Sequence, residues 1–236
     1  MNMSMKRIQA IFVKDYKEFS RNYAVSSVIL MPIILAIFYG RIGSTSMDMY
    51  FFPINMTFSM VTAYIQACLI AEEKERNTLR GLMMSPASTV DILLGKSLLV
   101  FLTTAVILAV SSYLVGYKPN DIITITIALA ISAVFYLALG TICGLFTKSI
   151  MEASLAVLPV MVIFTFGPLA ITLGESNILV KLVEWLPSTQ LLKIAELSQA
   201  GANFSELISA FIIITIWTKV AVIISMILFK KRTKDE

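Results

Sequence analysis

The chain contains no histidine and only two cysteines among its 236 residues. Without histidine, the commonest metal ligand and the commonest general base are both missing. Cys68 and Cys143 each lie inside an apolar run, which argues against a disulfide framework or a cysteine metal site. Charge is scarce too: 14% of residues are Asp, Glu, Lys or Arg, where a soluble domain carries about a quarter. None of the apolar runs holds an Asp or a Glu, so a membrane-embedded enzyme would lack its acid and base. No glycine-rich loop occurs, and no internal repeat is visible.

What the chain has instead is apolar length. Hydrophobic residues make up 58% of it. They gather into six runs, at 24–40, 49–71, 97–117, 122–147, 153–174 and 207–229. A bilayer core of roughly 30 Å needs about 20 apolar residues in helical form. Hydrocarbon offers no partner to a backbone amide, so each run is read as a helix. The expected fold is therefore all-α, a polytopic membrane protein with six transmembrane helices in one domain over 1–236. The first run is short, with Tyr23 and Tyr39 at its two interfaces.

Cations set the orientation. With the N-terminus cytoplasmic, the outer loops hold only Arg41, Lys118, Lys181 and Lys193 of the 19 Lys and Arg residues. Apart from Lys219, inside the last run, all the others fall on the inner side. Both termini are thus expected in the cytoplasm. The charged N-terminal region runs through Arg21, too far for a signal peptide, and the first run has no small-residue cleavage site, so it is read as retained. Within 1–23, Met5, Ile8, Phe12, Tyr16 and Phe19 recur at helical spacing. That pattern predicts an amphipathic helix in the inner interface, with a plain basic flank as the alternative.

Polarity is concentrated at residues 72–97. The tail Gly95-Lys96-Ser97 invites comparison with a phosphate-binding loop, but the glycine required five positions earlier is Val90. Ser88 to Asp91 reads instead as a capping box that opens the third span. The chain is not expected to bind ATP, a metal or another cofactor. The second helix is expected to run past Ala71 through Glu75 into water, with Asn77 closing it in a left-handed conformation. Thr78 then caps a short helix whose Leu79, Leu82 and Met83 share a face flanked by Arg76 and Arg80, and Ser85-Pro86 ends it. An apolar stripe displayed in this way suits a docking element.

The order Glu-Arg, Thr-Leu, Ser-Pro and Asp-Ile-Leu-Leu-Gly-Lys in this stretch resembles the loop after the second span in permease subunits of ABC exporters with the type V fold. Lys14 to Asn22 resembles that family's basic N-terminal helix, Met31-Pro32 its proline in the first span, and Trp185 to Gln190 its Leu-Pro turn before the last span. Asn77 stands where the family usually has glycine, and Ser85 where it has threonine. The resemblance implies that loop 72–91 is a coupling helix gripped by a cytoplasmic ATP-binding subunit. The contact residues would be Glu73, Glu75, Arg76, Thr78, Leu79, Arg80, Leu82 and Met83. It also implies two such ATPase copies, which bind the ATP and Mg. A second permease copy completes the transporter, most simply as a homodimer, in the lipid of a bacterial cell membrane. No nucleic acid partner is expected.

Asn55, Ser59, Thr62 and Gln66 are spaced four, three and four apart, on one face of the second span. Two readings stay open: hydrogen bonds between helices, or the lining of a substrate path, as the resemblance implies for spans two and five. Phe52 and Phe58 would add apolar contact, and span five supplies Phe164, Phe166 and a Gly167-Pro168 break. Lys219 places a charge within the last span, which marks either the path or a snorkelling side chain. Residues 175–206 are too apolar for a free loop and are read as two short helices capping the path, with Trp185 at the interface. The expected function is export of an amphipathic or hydrophobic substrate. The short loops resemble those of compact bacterial exporters of toxic or antimicrobial peptides, including staphylococcal exporters of small amphipathic peptide toxins. The alternative is an ATPase-independent secondary transporter or channel.

Overall fold

The structure, a computed structural model, describes residues 3–43, 46–78, 81, 87–173 and 178–235. All the regular elements among them are helical. α1 (Met3–Arg21) leads into α2 (Tyr23–Ile42), then α3 (Met47–Glu75) and α4 (Thr89–Val115). α5 (Ile122–Phe146) and α6 (Ile150–Phe166) follow, and a 3-10 turn, Pro168–Leu173, continues from α6. α7 (Ile178–Glu184), α8 (Pro187–Gln199) and α9 (Phe204–Asp235) complete the chain. Five helices, α2, α3, α4, α5 and α9, are long and apolar enough to cross a bilayer. The fifth expected span is divided. Its α-helical part is 17 residues long, about 25 Å at 1.5 Å per residue, and Gly167 and the 3-10 turn carry the chain onward.

Burial ranks the helices. In its most apolar window α3 is 89% buried, against 17% for both α2 and α9. α3 is therefore the central helix, with α4, α5 and α6 packed round it. Small residues make the closest contact possible. A Cβ on Gly140 would lie 2.4 Å from the Ala63 carbonyl oxygen, and one on Gly144 would lie 2.6 Å from that of Ala67. The four-residue spacing of two glycines against two alanines lets the backbones of α5 and α3 touch, the usual means of helix association in lipid. Midway, α3 widens into a π-helical segment, Thr57–Ala63. Pro53 lies one turn before it, and the Thr57 hydroxyl donates to the Pro53 carbonyl at 2.8 Å. Proline and side-chain insertion are the usual causes of such an irregularity.

At one end of the bundle, α1 packs across the start of α4. Its buried face differs from the expected one. Ile11, Asp15 and Phe19 are buried, while Met5 and Tyr16 are more than half exposed. Two features of α4 account for the rotation. Gly95 leaves room for Ile11, whose Cβ lies 2.8 Å from where a glycine substituent would stand. Lys96, one residue on, attracts Asp15. At the opposite end, α7 and α8 lie over the bundle and are pinned by polar contacts. Asn120 Nδ2 donates to the Gln199 carbonyl at 2.8 Å, and Trp217 Nε1 donates to that of Trp185 at 2.9 Å.

Candidate functional site

α3 outlasts its apolar stretch by one charged turn, residues 72–76, and α1 covers that turn rather than leaving it in water. Glu72 and Glu73 are consequently buried. Lys96 enters from α4, with Nζ 3.0 Å from Glu73 Oε1 and 3.2 and 3.3 Å from the two carboxylate oxygens of Asp15. Lys96 and Asp15 are fully enclosed, and Glu73 is 2% exposed. Lys14 and the Thr78 hydroxyl also donate to the Glu73 carboxylate. Burying one ammonium alone would be severely unfavourable; here two carboxylates face two ammonium groups, and the charges balance. Burial still pushes the Asp15 carboxyl above its ordinary range, with Lys96 working against the shift. For Lys14 burial acts downward, but the hydrogen bond and the charge of Glu73 outweigh it and raise the ammonium. The carboxylates of Asp15, Glu18 and Glu73 come within 4.8 Å of one another, and the lysines supply the positive charge a metal would bring.

The loop that follows α3 is tied at both ends to α1. Its first end is held through Glu73. Its second end is the capping box of α4, where Ser88 Oγ accepts from the Asp91 amide and Asp91 accepts from the Ser88 amide, both at 3.1 Å. Ser4 donates to Asp91, and Arg7 lies 3.8 Å from it. Asn77 takes the left-handed conformation that closes α3, with φ 55°. The same charged turn also reaches sideways. Lys74 donates to the carbonyls of Leu145 and Thr147 at the end of α5, and Glu75 accepts from the Ile150 amide, 2.9 Å away, at the start of α6. Five residues thus connect α1, α4, α5 and α6 through the end of α3.

This arrangement changes the picture of the expected docking residues. Glu73 points into the bundle. The Glu75 carboxylate holds α6, and Thr78 serves Glu73. Arg76 pairs with Glu72 and, at 3.6 Å, with Glu18, although its side chain stays 56% exposed. Leu79, Arg80, Leu82 and Met83 lie outside the described residues. Asp15 and Lys96 are not among the residues expected at this site. A signal existed: Asp15 falls at helical spacing with Ile8, Ile11 and Phe19, on the face that packs inward.

The expected path residues divide into two groups. Asn55, Ser59, Thr62 and Gln66 do share a face, but all are buried inside the bundle. Ser59 bonds Thr165 at 2.6 Å, Thr62 bonds Thr104 at 2.8 Å, and Gln66 donates to Thr141 at 3.0 Å. This packing supports interhelical hydrogen bonding. Phe58 stacks on Tyr136, and Phe164 meets the same ring edge-on, both in the interior. Phe52 and Phe166 meet edge-to-face, with Phe166 half exposed, on the bundle surface near Tyr39. Lys219 is exposed on α9, a helix that packs on α5 and α8, so it does not join the α3 face.

A model of the ABC-2 family transporter proteins matches residues 14–227, nearly the whole chain. No curated protein matches it. The match takes in the charged turn, the loop it anchors and all the long apolar helices, and such permeases work with an ATP-binding ABC subunit. This multi-pass membrane protein belongs to the ABC-2 transporter family, as the permease component of an ABC transporter.

Proposed function

We propose that the chain is half of the membrane part of an ATP-driven exporter, spanning the membrane six times with both termini in the cytoplasm. Two copies, with two ATPase subunits, move an amphipathic or hydrophobic substrate out of a bacterial cell. A peptide toxin or antimicrobial peptide is the substrate class that suits the aromatic edge at Phe52 and Phe166. One observation carries the reading. Both ends of the loop after α3 are fixed to α1 and to the core helices by buried charges. A push that reaches either end of that loop acts on α1, α3 and α4 together. The apolar residues Leu79 and Leu82, with Arg80, are the proposed docking contacts, since Glu73, Glu75 and Thr78 serve the chain itself. α7 and α8 would then close the outer end, and α6 with its 3-10 turn would complete the sixth crossing.

The test changes Leu79 and Leu82 to Asp and leaves the ion-pair network intact. The purified variant is expected to insert normally and to lose the ATPase subunit. In a reconstituted complex, substrate-stimulated ATP hydrolysis and export should fall together. Transport by this chain alone, driven by an ion gradient and indifferent to the double change, would establish the secondary-transporter alternative instead.

A further inference from the structure

One charged residue, Lys219, stands inside the apolar run 207–229. α9 turns its buried side, which includes Ala210, Ile214, Thr218 and Ala221, toward α5 and α8. The Thr218 hydroxyl reaches the Ile131 carbonyl of α5 at 3.4 Å. At about 3.6 residues per turn, the opposite side of the helix carries Ile212, Ile216, Lys219, Ile223 and Met226, and all five are exposed. Lys219 forms no ion pair with a described residue. At about 1.5 Å per residue it stands roughly 18 Å along the axis from Leu207 and roughly 15 Å from Phe229. A lysine side chain spans about 6 Å, so it stops roughly 9 Å or more short of either boundary and does not reach water by snorkelling.

We infer that this side of α9 seats a transmembrane helix of a different protein, one that carries an Asp or Glu level with Lys219. A charge facing hydrocarbon is unfavourable unless a partner neutralises it, and at low dielectric an opposite charge acts with little screening. Other occupants do not supply that partner. The anionic groups of lipids stay at the boundary, beyond the reach of the side chain. A second copy of this chain has no Asp or Glu in any apolar run, and two copies joined through this side would set Lys219 against Lys219. Ile216 and Ile223, one turn to either side, offer the incoming helix an apolar surface. A single polar pair within an apolar helix contact fixes its register, so the ion pair would set the partner's depth and rotation. The inference rests on α9 crossing the bilayer, not on the direction or cargo of transport.

The full-length chain, without any ATPase, is reconstituted in phosphatidylcholine vesicles with a synthetic leucine-rich transmembrane peptide. The peptide bears a dansyl group and, at its centre, Asp, Asn or Leu. Trp217, two residues from Lys219, and Trp185, whose carbonyl it holds, are the chain's two tryptophans and act as energy donors. The Asp peptide is expected to give saturable energy transfer at about tenfold lower peptide density than the Leu peptide, the scale of a charge-assisted contact between helices. Lys219→Arg should keep that preference, and Lys219→Leu should abolish it. The Leu variant adds an apolar side chain to an exposed apolar stripe, so its loss of binding is not a folding defect. Equal transfer from the Asp and Asn peptides, or an Asp preference that survives Lys219→Leu, would overturn the inference. In the native membrane, a photo-crosslinking residue in place of Ile223 should form an adduct with a protein that has an Asp or Glu within a span, and the adduct should vanish with Lys219→Leu. An adduct with a second copy of this chain, or with lipid alone, would also overturn it. Neither experiment involves ATP, so failure here would leave the exporter reading untouched.

Discussion

Replacing Lys96 with methionine keeps most of the side-chain volume and removes one ammonium from between two enclosed carboxylates. Lys14 remains beside Glu73, but nothing else described donates to Asp15. Removing one partner of a buried ion pair destabilises by about 3–5 kcal/mol, because the other is left uncompensated. For a chain of this size each kcal/mol shifts the melting temperature by about 2–4 °C, so a fall of roughly 6–20 °C is expected. With the partly buried Cys143 replaced by Ala, Cys68, 1% exposed in the core, provides the readout: in mild detergent it should react with a fluorogenic maleimide only as the bundle opens. The second variant makes the test specific. Adding Asp15→Asn to Lys96→Met removes the stranded charge and should restore a substantial part of the loss, which a packing defect would not allow. A Lys96→Met protein that melts like the parent, or a double variant no better than the single one, would refute the electrostatic account of this site.

Cysteines placed singly at residues 55, 59, 62 and 66, in a background lacking Cys68 and Cys143, should resist a water-soluble thiol reagent, whereas one replacing the half-exposed Phe166 should react. Ready labelling of the α3 positions would return them to the substrate path. Lys14 gives a pH dependence whose sign is fixed. Its ammonium is raised above 10.5 in the folded chain, so its contribution is complete below that value and disappears as pH climbs through the folded value. The melting difference between the parent and Lys14→Met should therefore hold at neutral pH and shrink in strong alkali, and a constant difference would dismiss the ion pair.

The features readable in the sequence were those set by local chemistry. Apolar length marked the long helices, Ser88 and Asp91 spelled out their own capping box, and Asn77 announced the residue that would accept a left-handed backbone. The ion-pair network was not readable in this way. Asp15 and Lys96 are 81 residues apart, and no periodicity within either helix says which will face which. Scarce polarity at residues 72–76 reads in the sequence as an offer to a partner protein, whereas its larger part holds four helices of the same chain together. The face of α3 posed a related difficulty. Its spacing showed which side chains were neighbours, but only the surrounding α4, α5 and α6 decided that they look into protein.

The separation between Asp15 and Lys96 also has a bearing on biosynthesis. A ribosome adding about 5–20 residues per second needs roughly 4–16 seconds to make the chain between them. Throughout that interval Asp15 has no Lys96 to meet, and its carboxylate must stay hydrated at the membrane surface while the first two hydrophobic helices are inserted. α1 is thus made well before it can find its place, and its docking registers that α3 and α4 have both arrived. Interrupted synthesis products ending before Lys96 would carry α1 without the partner that encloses Asp15.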